Sequence, residues 1–355
     1  MDRIKVAILG ATGAVGQRFV TMLTEHPWFE IHELVASERS AGRLYKDAVH
    51  WLDAVPLPSR VGEMIVKDVR QPLESRYLFS GLDAAVAGDL EQRYADLGHI
   101  VISNAKNHRM RSDVPLVVPE VNANHLDGII AQLRNAKAPG AIITNPNCVV
   151  AILVLALAPI QRLCGIDSTI LTSLQAISGA GYPGVAAWDI VGNVLPYIAQ
   201  EETKVEGEVA KILGDYHFDH GFEPANLRVS ASCYRVPVLQ GHSLSVSVKT
   251  TQKVDEQQII EAWRGGLASW SELPTSPLHP ICYLEQADRP QPVMDVGRGN
   301  GMTVSIGRLR RCSVLDWKFS VLGHNTIRGA AGGALLNAEY LVWRLLTSEA
   351  DLRTK

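Results

Sequence analysis

The chain has 355 residues, of which 46% are hydrophobic and 20% charged, with 34 Lys and Arg against 37 Asp and Glu. This length corresponds to about two domains, and the composition is too apolar for a disordered chain. A net charge of −3 gives no electrostatic reason to expect nucleic acid or a membrane as partner. Five cysteines, a small and odd number, argue against a disulfide framework and favour a reducing compartment.

The first residues show no targeting signal. The apolar run of residues 4–9 is too short for the core of a signal peptide. The most apolar later stretch, residues 148–157, has about half of the ~20 residues that a membrane span needs. We therefore expect a cytoplasmic protein.

The first half of the chain alternates short apolar runs with helical patterns. We predict a helix after residue 13, because Val15, Phe19, Met22 and Leu23 have helical spacing. Such alternation indicates a parallel sheet covered on both faces. The predicted strands of this half are residues 4–9, 31–36, 83–88, 99–103, 115–118 and 141–144.

The second half contains longer strands of alternating polarity, which are typical of an antiparallel or mixed sheet. We predict them at 168–176, 228–238, 242–251, 302–310 and 314–322, with a long loop over 268–300 and a helix from about 325 to 346. The fold class is therefore predicted as α/β. A doubly wound domain over 1–147 would be completed by the helical residues of about 325–355, and an α+β domain with a mixed sheet would cover 148–324.

A glycine-rich loop joins the first predicted strand to the first predicted helix. Glycines at this junction permit a tight turn and let backbone N–H groups approach a pyrophosphate at the helix N-terminus. The strand–turn–helix context therefore predicts a dinucleotide site rather than a structural turn. The proposed loop comprises Gly10, Thr12, Gly13, Ala14, Val15 and Gly16.

The residues after the second strand distinguish the two nicotinamide cofactors. Ser37 and Arg39, assisted by Ser40, are suited to a ribose 2′-phosphate, which favours NADP. Glu38 would serve NAD if it turned inward, and a solvated surface loop is a third interpretation. We favour NADP(H).

Cys148 follows Asn145-Pro146-Asn147 at the point where a strand gives way to an apolar helical run. A helix N-terminus stabilises a thiolate. A thiolate beside a nicotinamide cofactor indicates thiohemiacetal or thioester chemistry with hydride transfer at the same carbon. Most free cysteines are merely small buried side chains. We give that interpretation to Cys164, Cys233, Cys282 and Cys312, and no pair of cysteines has the spacing of a metal site.

Two further residues suit this chemistry. His242 follows a glycine at a predicted strand start, and its imidazole is suited to acid/base catalysis near neutral pH. Arg235 is suited to a substrate carboxylate. Taken singly, each has the alternative of an ordinary surface or core residue.

Together these segments resemble the aspartate-semialdehyde dehydrogenase family, and most of all its archaeal and fungal-like branch. The motifs GATGAVG, SERSAG, SNAKNHR, NPNC, LQAISGAGYPG, EETK, RVPVLQGH, NGMTVSIGRLR and NTIRGAAGG occur in family order from residue 4 to about 340. The resemblance implies a Rossmann-like NADP-binding domain and a catalytic and dimerisation domain. It also implies a homodimer or homotetramer without a metal.

The implied reaction is the NADPH-dependent reductive dephosphorylation of L-aspartyl 4-phosphate to L-aspartate 4-semialdehyde and phosphate, in lysine, methionine and threonine biosynthesis. By the same resemblance Cys148 is the nucleophile, His242 the acid/base catalyst, and Gln175 orients the substrate. Arg235 would bind the α-carboxylate, Glu201 the amino group, and Lys204 with Arg109 the phosphate. Asn104 and Asn147 would position the substrate or stabilise the oxyanion. Ser178, Gly179, Ala180 and Gly181, with Asn325, would approach the cofactor.

The charges of these residues complement the carboxylate, ammonium and phosphate of aspartyl phosphate. Glu202 is an alternative to Glu201, and Glu201 with Lys204 also has the interpretation of an ordinary surface pair. One departure from the family pattern is that Val149 and Val150, rather than hydroxyl residues, follow the nucleophile.

Two other functions remain open. A malonyl-CoA reductase of the same architecture would use the same thiol and histidine on a thioester. A non-catalytic NADP-binding regulatory paralogue would belong to another class, and the presence of both Cys148 and His242 argues against it.

Overall fold

The computed structural model describes residues 3–134 and 140–353. Its strands are β1 (Ile4–Leu9), β2 (Phe29–Ala36), β3 (Val66–Asp68), β4 (Tyr77–Ser80), β5 (Ile100–Ser103), β6 (Ala141–Thr144), β7 (Ile166–Gln175), β8 (Asp215–His217), β9 (Gly221–Glu223), β10 (Arg228–Arg235), β11 (His242–Thr250), β12 (Ile281–Leu284), β13 (Val304–Arg311) and β14 (Trp317–Gly323).

The α-helices are α1 (Ala14–Leu23), α2 (Tyr45–Ala48), α3 (Ser59–Gly62), α4 (Ala84–Asp96), α5 (Pro119–Asn122), α6 (Asp127–Leu133), α7 (Cys148–Cys164), α8 (Ala187–Ile190), α9 (Glu201–Ile212), α10 (Glu256–Gly265), α11 (Pro292–Asp295) and α12 (Gly332–Arg353). Short 3-10 helices cover Ala123–Leu126, Ile177–Ala180 and Arg298–Gly301, and a π-helical turn covers Ile327–Ala331.

The chain forms two compact units. The first contains the residues up to Pro115, Leu126–Asn145 and the chain from Ala334 onwards. Its six strands pair in the order β3-β2-β1-β4-β5-β6, all parallel. This order is that of a doubly wound dinucleotide-binding fold. Buried apolar side chains of the strands form its core, among them Ala7, Leu9, Val35, Leu78 and Val101.

The second unit contains Leu116–His125 and Pro146–Gly333. Its main sheet has the order β10-β7-β11-β14-β13-β12, with parallel pairs at both edges and antiparallel pairs between them. The predicted fold class, a doubly wound domain with a mixed-sheet α+β domain, is therefore confirmed.

Helix α7 is the central helix of the second unit. Val149 and the residues up to Ala158 are at most 2% exposed, because the run is apolar on every side and packs within the core. The helix ends at Gly165, whose φ of 70° is readily adopted only by glycine. Within the described residues, no helix is both long enough and apolar enough to cross a membrane.

Two predicted strands are wrong. Residues 83–88 begin helix α4, because the Asp83 side chain caps it by accepting the N–H of Ala85 at 2.9 Å. Residues 115–118 form no strand, since prolines occupy positions 115 and 119 and the Asn122 side chain binds backbone groups of Leu116 and Val118. That amide accepts the N–H of Val118 and donates to the carbonyl of Leu116, both at 2.9 Å.

The observed units differ from the predicted domains in three places, the first being residues 146–147, which belong to the second unit. Residues 116–125, placed in the first domain by the sequence, cluster with the second unit, and so do residues 325–333. The C-terminal helix belongs to the first unit from Ala334 onwards, where the buried Glu339 pairs with His26 at 2.8 Å. The predicted loop of 268–300 also contains β12 and α11. Residues 1–2, 135–139 and 354–355 of the predicted first domain lie outside the described residues.

Candidate active site

Cys148 is the first residue of α7, and Asn147 is its N-cap. The Asn147 side-chain oxygen accepts the N–H groups of Val149 at 2.8 Å and Val150 at 3.4 Å. This cap fixes the first turn and leaves the partly buried sulfur at the positive end of a 17-residue helix. A negative charge on the Cys148 sulfur is therefore stabilised by the helix, as the sequence predicts.

The sulfur of Cys148 lies 3.2 Å from Nε2 of His242, the first residue of β11. The other ring nitrogen, Nδ1, accepts the backbone N–H of Ala176 at 3.1 Å. Since Nδ1 is an acceptor, the proton of the neutral ring resides on Nε2 and points toward the sulfur. The imidazole is completely buried, and this burial, reinforced by the positive charge of Arg235, lowers the pKa of His242 to about 3.

Three predicted site residues stand at adjoining strand ends. Arg235, the last residue of β10, pairs in register with Gln175, the last residue of the parallel strand β7. His242 begins β11, which runs antiparallel to β7 with Ser243 opposite Leu174. The sheet thus gathers Gln175, Arg235 and His242 at one end, although 67 positions separate the first from the last in sequence.

Arg235 is a buried cation of this group, with 6% of its surface exposed. Its NH1 donates to the carbonyl oxygen of Ala176 at 2.8 Å. Burial lowers the pKa of Arg235, while the negative charges of Cys148 and Glu201 act in the opposite direction. Ala176 therefore binds both Arg235, through its oxygen, and His242, through its N–H. Gln175 is also buried and donates from Nε2 to Ser173 Oγ at 3.2 Å.

Helix α9 presents two buried carboxylates to the N-cap of α7. Glu208 accepts the backbone N–H of Asn147 at 2.6 Å, and Glu201 accepts its side-chain N–H at 2.8 Å. Glu208 is a site residue that was not predicted from the sequence. Its spacing could have indicated it, because Glu208 follows Glu201 by seven residues and therefore lies on the same face of the helix.

The two adjacent glutamates at the start of α9 have different partners. Glu201 also pairs with Lys204 at 3.1 Å, so both of its oxygens and the Lys204 ammonium are engaged within the protein. Glu202 instead accepts the backbone N–H of Cys233 on β10 at 3.0 Å. The structure therefore places Glu201, and not Glu202, next to the cap of the Cys148 helix.

Asn325 holds two loops of the second unit together. Its oxygen accepts the N–H of Gly241 at 2.9 Å, and its amide donates to Ser178 Oγ at 2.9 Å. Gly179, in the same 3-10 turn, lies so close that a Cβ there would be 2.8 Å from the Arg235 guanidinium and 3.1 Å from the His242 ring. The loop of Ser178, Gly179 and Gly181 thus lies directly against the catalytic candidates.

Gly329 is a second residue that sequence reasoning did not single out. It lies in the π-helical turn before α12, and a Cβ there would be 2.6 Å from the Cβ of Cys148. Only glycine permits this approach. The motif NTIRGAAGG contains Gly329, but nothing in its spacing indicates which residue it touches.

The glycine loop of the first unit has the geometry of a phosphate-binding turn. Gly10 adopts a φ of 72°, and a Cβ on Gly16 would collide with the carbonyl of Gly10. Gly13 is the N-cap of α1 and gives it no side-chain hydrogen bond. Thr12, Ala14 and Val15, which complete the loop, are partly exposed beside it. The N-terminus of α1 thus allows a pyrophosphate to come close to the backbone N–H groups.

The turn after β2 exposes Ser37, Glu38 and Arg39, while Ser40 is 8% exposed. Glu38 pairs with Arg70 at 2.5 Å, so its carboxylate is engaged by an arginine. This pairing weakens the interpretation in which Glu38 binds a ribose hydroxyl, and it leaves Ser37 and Arg39 as the exposed polar groups of the turn.

Asn104 and Arg109 belong to the first unit, just after β5. The Arg109 guanidinium donates to the carbonyl oxygen of Asn104 at 2.6 Å. The Asn104 side chain donates to the carbonyl of Ser80 and accepts from Asn145, both at 3.1 Å. These contacts hold the two residues in one polar cluster.

The remaining cysteines are free thiols in other environments. Cys164 and Cys233 are buried, and burial raises the pKa of Cys233 to about 11. Cys282 and Cys312 are partly buried. Of the five sulfurs, Cys148 is the one that combines a helix N-terminus with a neighbouring imidazole.

Comparison with known proteins agrees with this geometry. Sequence profiles described as semialdehyde dehydrogenase, NAD binding domain, and semialdehyde dehydrogenase, dimerisation domain, match residues 5–129 and 157–328. The aspartate-semialdehyde dehydrogenase of Archaeoglobus fulgidus is 44% identical, with 96% of this chain and 98% of the relative covered. The enzyme of Candida albicans is 45% identical over 95% and 97%. The chain belongs to the aspartate-semialdehyde dehydrogenase family.

Solved structures of the family share the whole fold. The Candida albicans aspartate-semialdehyde dehydrogenase with NADP superposes with a TM-score of 0.89 at 42% identity, covering 96% of this chain and 98% of that one. A Vibrio cholerae family member complexed with ASA gives 0.76 at 27% identity, covering 96% and 99%. The resemblance to the archaeal and fungal branch of the family is thus confirmed, and the second unit carries its dimerisation domain.

Proposed function

We propose that this chain is an NADP-dependent aspartate-semialdehyde dehydrogenase. It converts L-aspartyl 4-phosphate to L-aspartate 4-semialdehyde and phosphate for the synthesis of lysine, methionine and threonine. The observation that carries the proposal is Cys148 Sγ at the N-terminus of α7, 3.2 Å from Nε2 of a completely buried His242. Relatives of 41–45% identity named for this activity support it.

The first unit fits NADP(H). The amide groups around Gly10, Gly13 and Gly16 would hold the pyrophosphate, since glycine is needed where the loop backbone packs most closely. Ser37, Arg39 and Ser40 would hold the 2′-phosphate. In the second unit, Ser178, Gly179 and Gly181 with Asn325 would approach the nicotinamide. When bound, the cofactor supplies a hydride to an acyl carbon.

The chain's own contribution begins with the thiolate of Cys148. The sulfur attacks the acyl carbon, a carbon–sulfur bond forms, and the carbon–oxygen bond to phosphate breaks, so that phosphate leaves with the bonding electron pair. Once the thioester carbon has been reduced, the carbon–sulfur bond breaks and the thiolate returns. Each turnover thus restores Cys148, and its charge is stabilised by α7 at both ends of the cycle.

The hydrogen bonds of His242 support a role as a hydrogen-bond donor. Because Ala176 donates to Nδ1, the neutral ring presents an N–H at Nε2. His242 is therefore a donor, to the thiolate in the resting site and to negative charge that develops on the substrate oxygen. In this tautomer the neutral ring supports the acid half of the acid/base role expected from the sequence, rather than removal of the thiol proton.

The substrate groups have partners of matching charge. Arg235 offers guanidinium donors for the α-carboxylate, and Gln175 at the neighbouring strand end orients the acyl group. Glu201 and Lys204 are paired with each other, so their proposed roles toward the ammonium and the phosphate require that this pair be shared with the substrate. Arg109 contributes a second phosphate donor, Asn104 positions the substrate, and Asn147 acts through the cap of α7.

Val149 and Val150 do not weaken the proposal. Both side chains are completely buried in the core of the second unit, and their backbone N–H groups bind the Asn147 side chain. The cap that positions Cys148 is thus complete without a hydroxyl group at either position.

The dimerisation domain indicates a homo-oligomer, which we propose to be a homodimer or homotetramer. We further infer that the enzyme acts in the cytoplasm, where its small polar substrates and NADPH are found.

The test is phosphate-dependent reduction of NADP⁺ with aspartate semialdehyde, run in parallel with NADPH oxidation by malonyl-CoA. We expect turnover with the semialdehyde only, and none after Cys148→Ala, although that variant still binds NADPH. Cys282→Ser, which removes a thiol outside the site, is the matched control and keeps full activity. Turnover with malonyl-CoA alone would instead identify a thioester reductase, and turnover with neither substrate would favour the regulatory paralogue.

A further inference from the structure

The hairpin of β8 and β9 has two different faces. Its register pairs Tyr216 with Phe222, and these rings lie 5.0 Å apart on one face. That face packs on the buried ring of His125, 5.1 Å from Phe222. The aromatic contacts anchor the hairpin to the second unit and direct the alternate residues of both strands to the opposite face.

The opposite face carries two imidazoles and a carboxylate. Asp215 pairs with Glu223 and His217 with Gly221, so His217 and Glu223 are diagonal neighbours on this face. His220 joins them from the connecting turn. Nε2 of His217 lies 3.5 Å, and Nε2 of His220 4.0 Å, from the same Glu223 oxygen, and one donor atom of each of the three residues lies within 4.8 Å of the others.

A fourth residue orients one of these imidazoles. Nδ1 of His220 lies 2.8 Å from a carboxylate oxygen of Asp219. That contact holds the proton on Nδ1 and leaves the Nε2 lone pair directed at the cluster. An imidazole held between a carboxylate and a metal in this way is the usual arrangement around protein zinc ions. The two histidine rings are direct neighbours, with their centroids 4.3 Å apart.

We propose that His217, His220 and Glu223 form a surface site for a divalent transition-metal ion such as Zn²⁺. Zinc–nitrogen bonds of about 2.05 Å in a tetrahedron separate ligand atoms by about 3.3 Å. The observed 3.5 and 4.0 Å from the two imidazole nitrogens to the Glu223 oxygen are near this spacing, and rotation of the surface side chains would turn both lone pairs toward one ion. Two nitrogen ligands select Zn²⁺ over Mg²⁺ and Ca²⁺, which require oxygen ligands.

The bound ion links β8, the connecting turn and β9, which supply His217, His220 and Glu223. Because the ion binds the folded hairpin and not the unfolded chain, it raises the thermal stability of the second unit. The site contains no residue that we assign to the reaction, so its occupation is independent of turnover. It also contains no cysteine, which is why cysteine spacing in the sequence gives no sign of it.

The experiment is calorimetric titration of untagged, EDTA-treated protein with ZnCl₂. Since a thiolate next to an imidazole also binds zinc, the titrations use a Cys148→Ser background. We expect one Zn²⁺ to bind per chain at the cluster. His217→Ala and His220→Ala should each abolish this binding. Asp219→Asn should weaken binding by about 10- to 100-fold, as loss of an orienting partner does. His50→Ala, which removes an exposed histidine of the first unit, is the matched control and leaves the titration unchanged.

Two further measurements complete the test. MgCl₂ should give no heat, and the steady-state activity of His220→Ala with Cys148 intact should equal that of the unmodified chain. Zinc binding that survives the double change His217→Ala and His220→Ala would overturn the proposal, as would a folded protein that binds no zinc. Circular dichroism of each metal-free variant shows whether it is folded.

Discussion

Glu208 and Asn147 are joined by a hydrogen bond of 2.6 Å from the backbone N–H of Asn147 to the Glu208 carboxylate. Asn147 in turn caps the helix that begins with the nucleophile. We predict that Glu208→Ala lowers kcat by up to about 10²-fold through misplacement of the sulfur, with KM little changed. The unpaired buried N–H should also cost about 1–3 kcal/mol of stability.

Glu208→Gln keeps an acceptor oxygen and should recover most of the lost kcat. The matched control is Glu206→Ala on the same helix, because Glu206 accepts the backbone N–H of Ala231 at 3.0 Å and does not contact Asn147. Steady-state kinetics and chemical denaturation measure both effects. Equal kinetic losses in Glu208→Ala and Glu206→Ala would show that Glu208 has no special relation to the nucleophile.

The tautomer of His242 can be tested with two amides. A glutamine amide reaches about the position of Nε2 and can donate to the Cys148 sulfur, whereas an asparagine amide reaches only the position of Nδ1. We predict that His242→Asn lowers kcat by roughly 10²–10⁴-fold. The kcat of His242→Gln should be about 10- to 100-fold higher than that of His242→Asn, because glutamine keeps one hydrogen bond to a charged group.

Alkylation of Cys148 by iodoacetamide, followed by mass spectrometry of the labelled peptide, gives a readout that is independent of turnover. Its rate at neutral pH should fall in the order native, His242→Gln, His242→Asn, as the thiolate loses its donor. A faster rate in His242→Asn than in His242→Gln would contradict donation from Nε2.

Gly329→Ala should displace the nucleophile, because Gly329 packs directly against Cys148. The new methyl group would lie 2.6 Å from the Cβ of Cys148, so either the π-helical turn or the cysteine must move. We expect a loss of about 1–3 kcal/mol of stability together with a fall in kcat. Gly265→Ala, at an open position at the end of α10, is the control and should be neutral or slightly stabilising. Equal Tm values and equal kcat values for Gly329→Ala and Gly265→Ala would contradict the close packing of Gly329 on Cys148.

Arg235→Lys should separate substrate binding from thiol chemistry. Lysine keeps the charge but lacks the planar fork that binds a carboxylate through two bonds. We predict a KM for aspartate semialdehyde that is about 10- to 100-fold higher, while iodoacetamide still labels Cys148. Arg228→Lys, at the exposed start of the same strand, is the matched control. A raised kcat/KM, or an unchanged one, would exclude a carboxylate contact.

Acid stability should depend on His125. Burial lowers the pKa of His125 to about 4, from an ordinary value near 6.5. Between these values the unfolded chain binds a proton that the folded chain does not, so stability rises with pH and is lost as pH falls from about 6.5 to 4. His125→Gln should flatten this loss by up to about 3 kcal/mol.

Urea denaturation at pH 7, 5.5 and 4.5 measures the slope. The control is His50→Gln, which makes the same replacement at an exposed histidine of the first unit. An identical pH slope in native and His125→Gln proteins would contradict the prediction. His242 adds a loss in the same direction, because its pKa is also depressed by burial.

Motifs with local physical requirements were predictable from the sequence. The glycine loop, the helix that begins at Cys148 and the strand that begins at His242 each follow from residues close together in the chain. The alternating strands of the second sheet were predictable too, because one face of each is buried. The apolar run at 83–88 was not, since the capping by Asp83 turns it into a helix, and apolar composition alone does not distinguish the two.

The features of the site that the sequence did not predict are contacts between distant segments of the chain. Ala176 acts only through its backbone, and Gly329 acts by the space it leaves, so neither has a side chain that could signal a role. Glu208 contacts a residue 61 positions away. In the sequence, Glu208 does not differ from other polar residues of an amphipathic helix, and only the folded structure shows its contact with the cap of α7.

The π-helical turn of Ile327–Ala331 leads into α12, which leaves the second unit and completes the first from Ala334 onwards. Glu339 therefore meets His26 across 313 positions, after the whole second unit has been synthesised. During translation the dinucleotide-binding unit emerges first from the ribosome but acquires its final helix last. A chain that ends before Ala334 therefore contains all of the second unit but lacks the helix that completes the first, so the cofactor-binding half is the last to be finished.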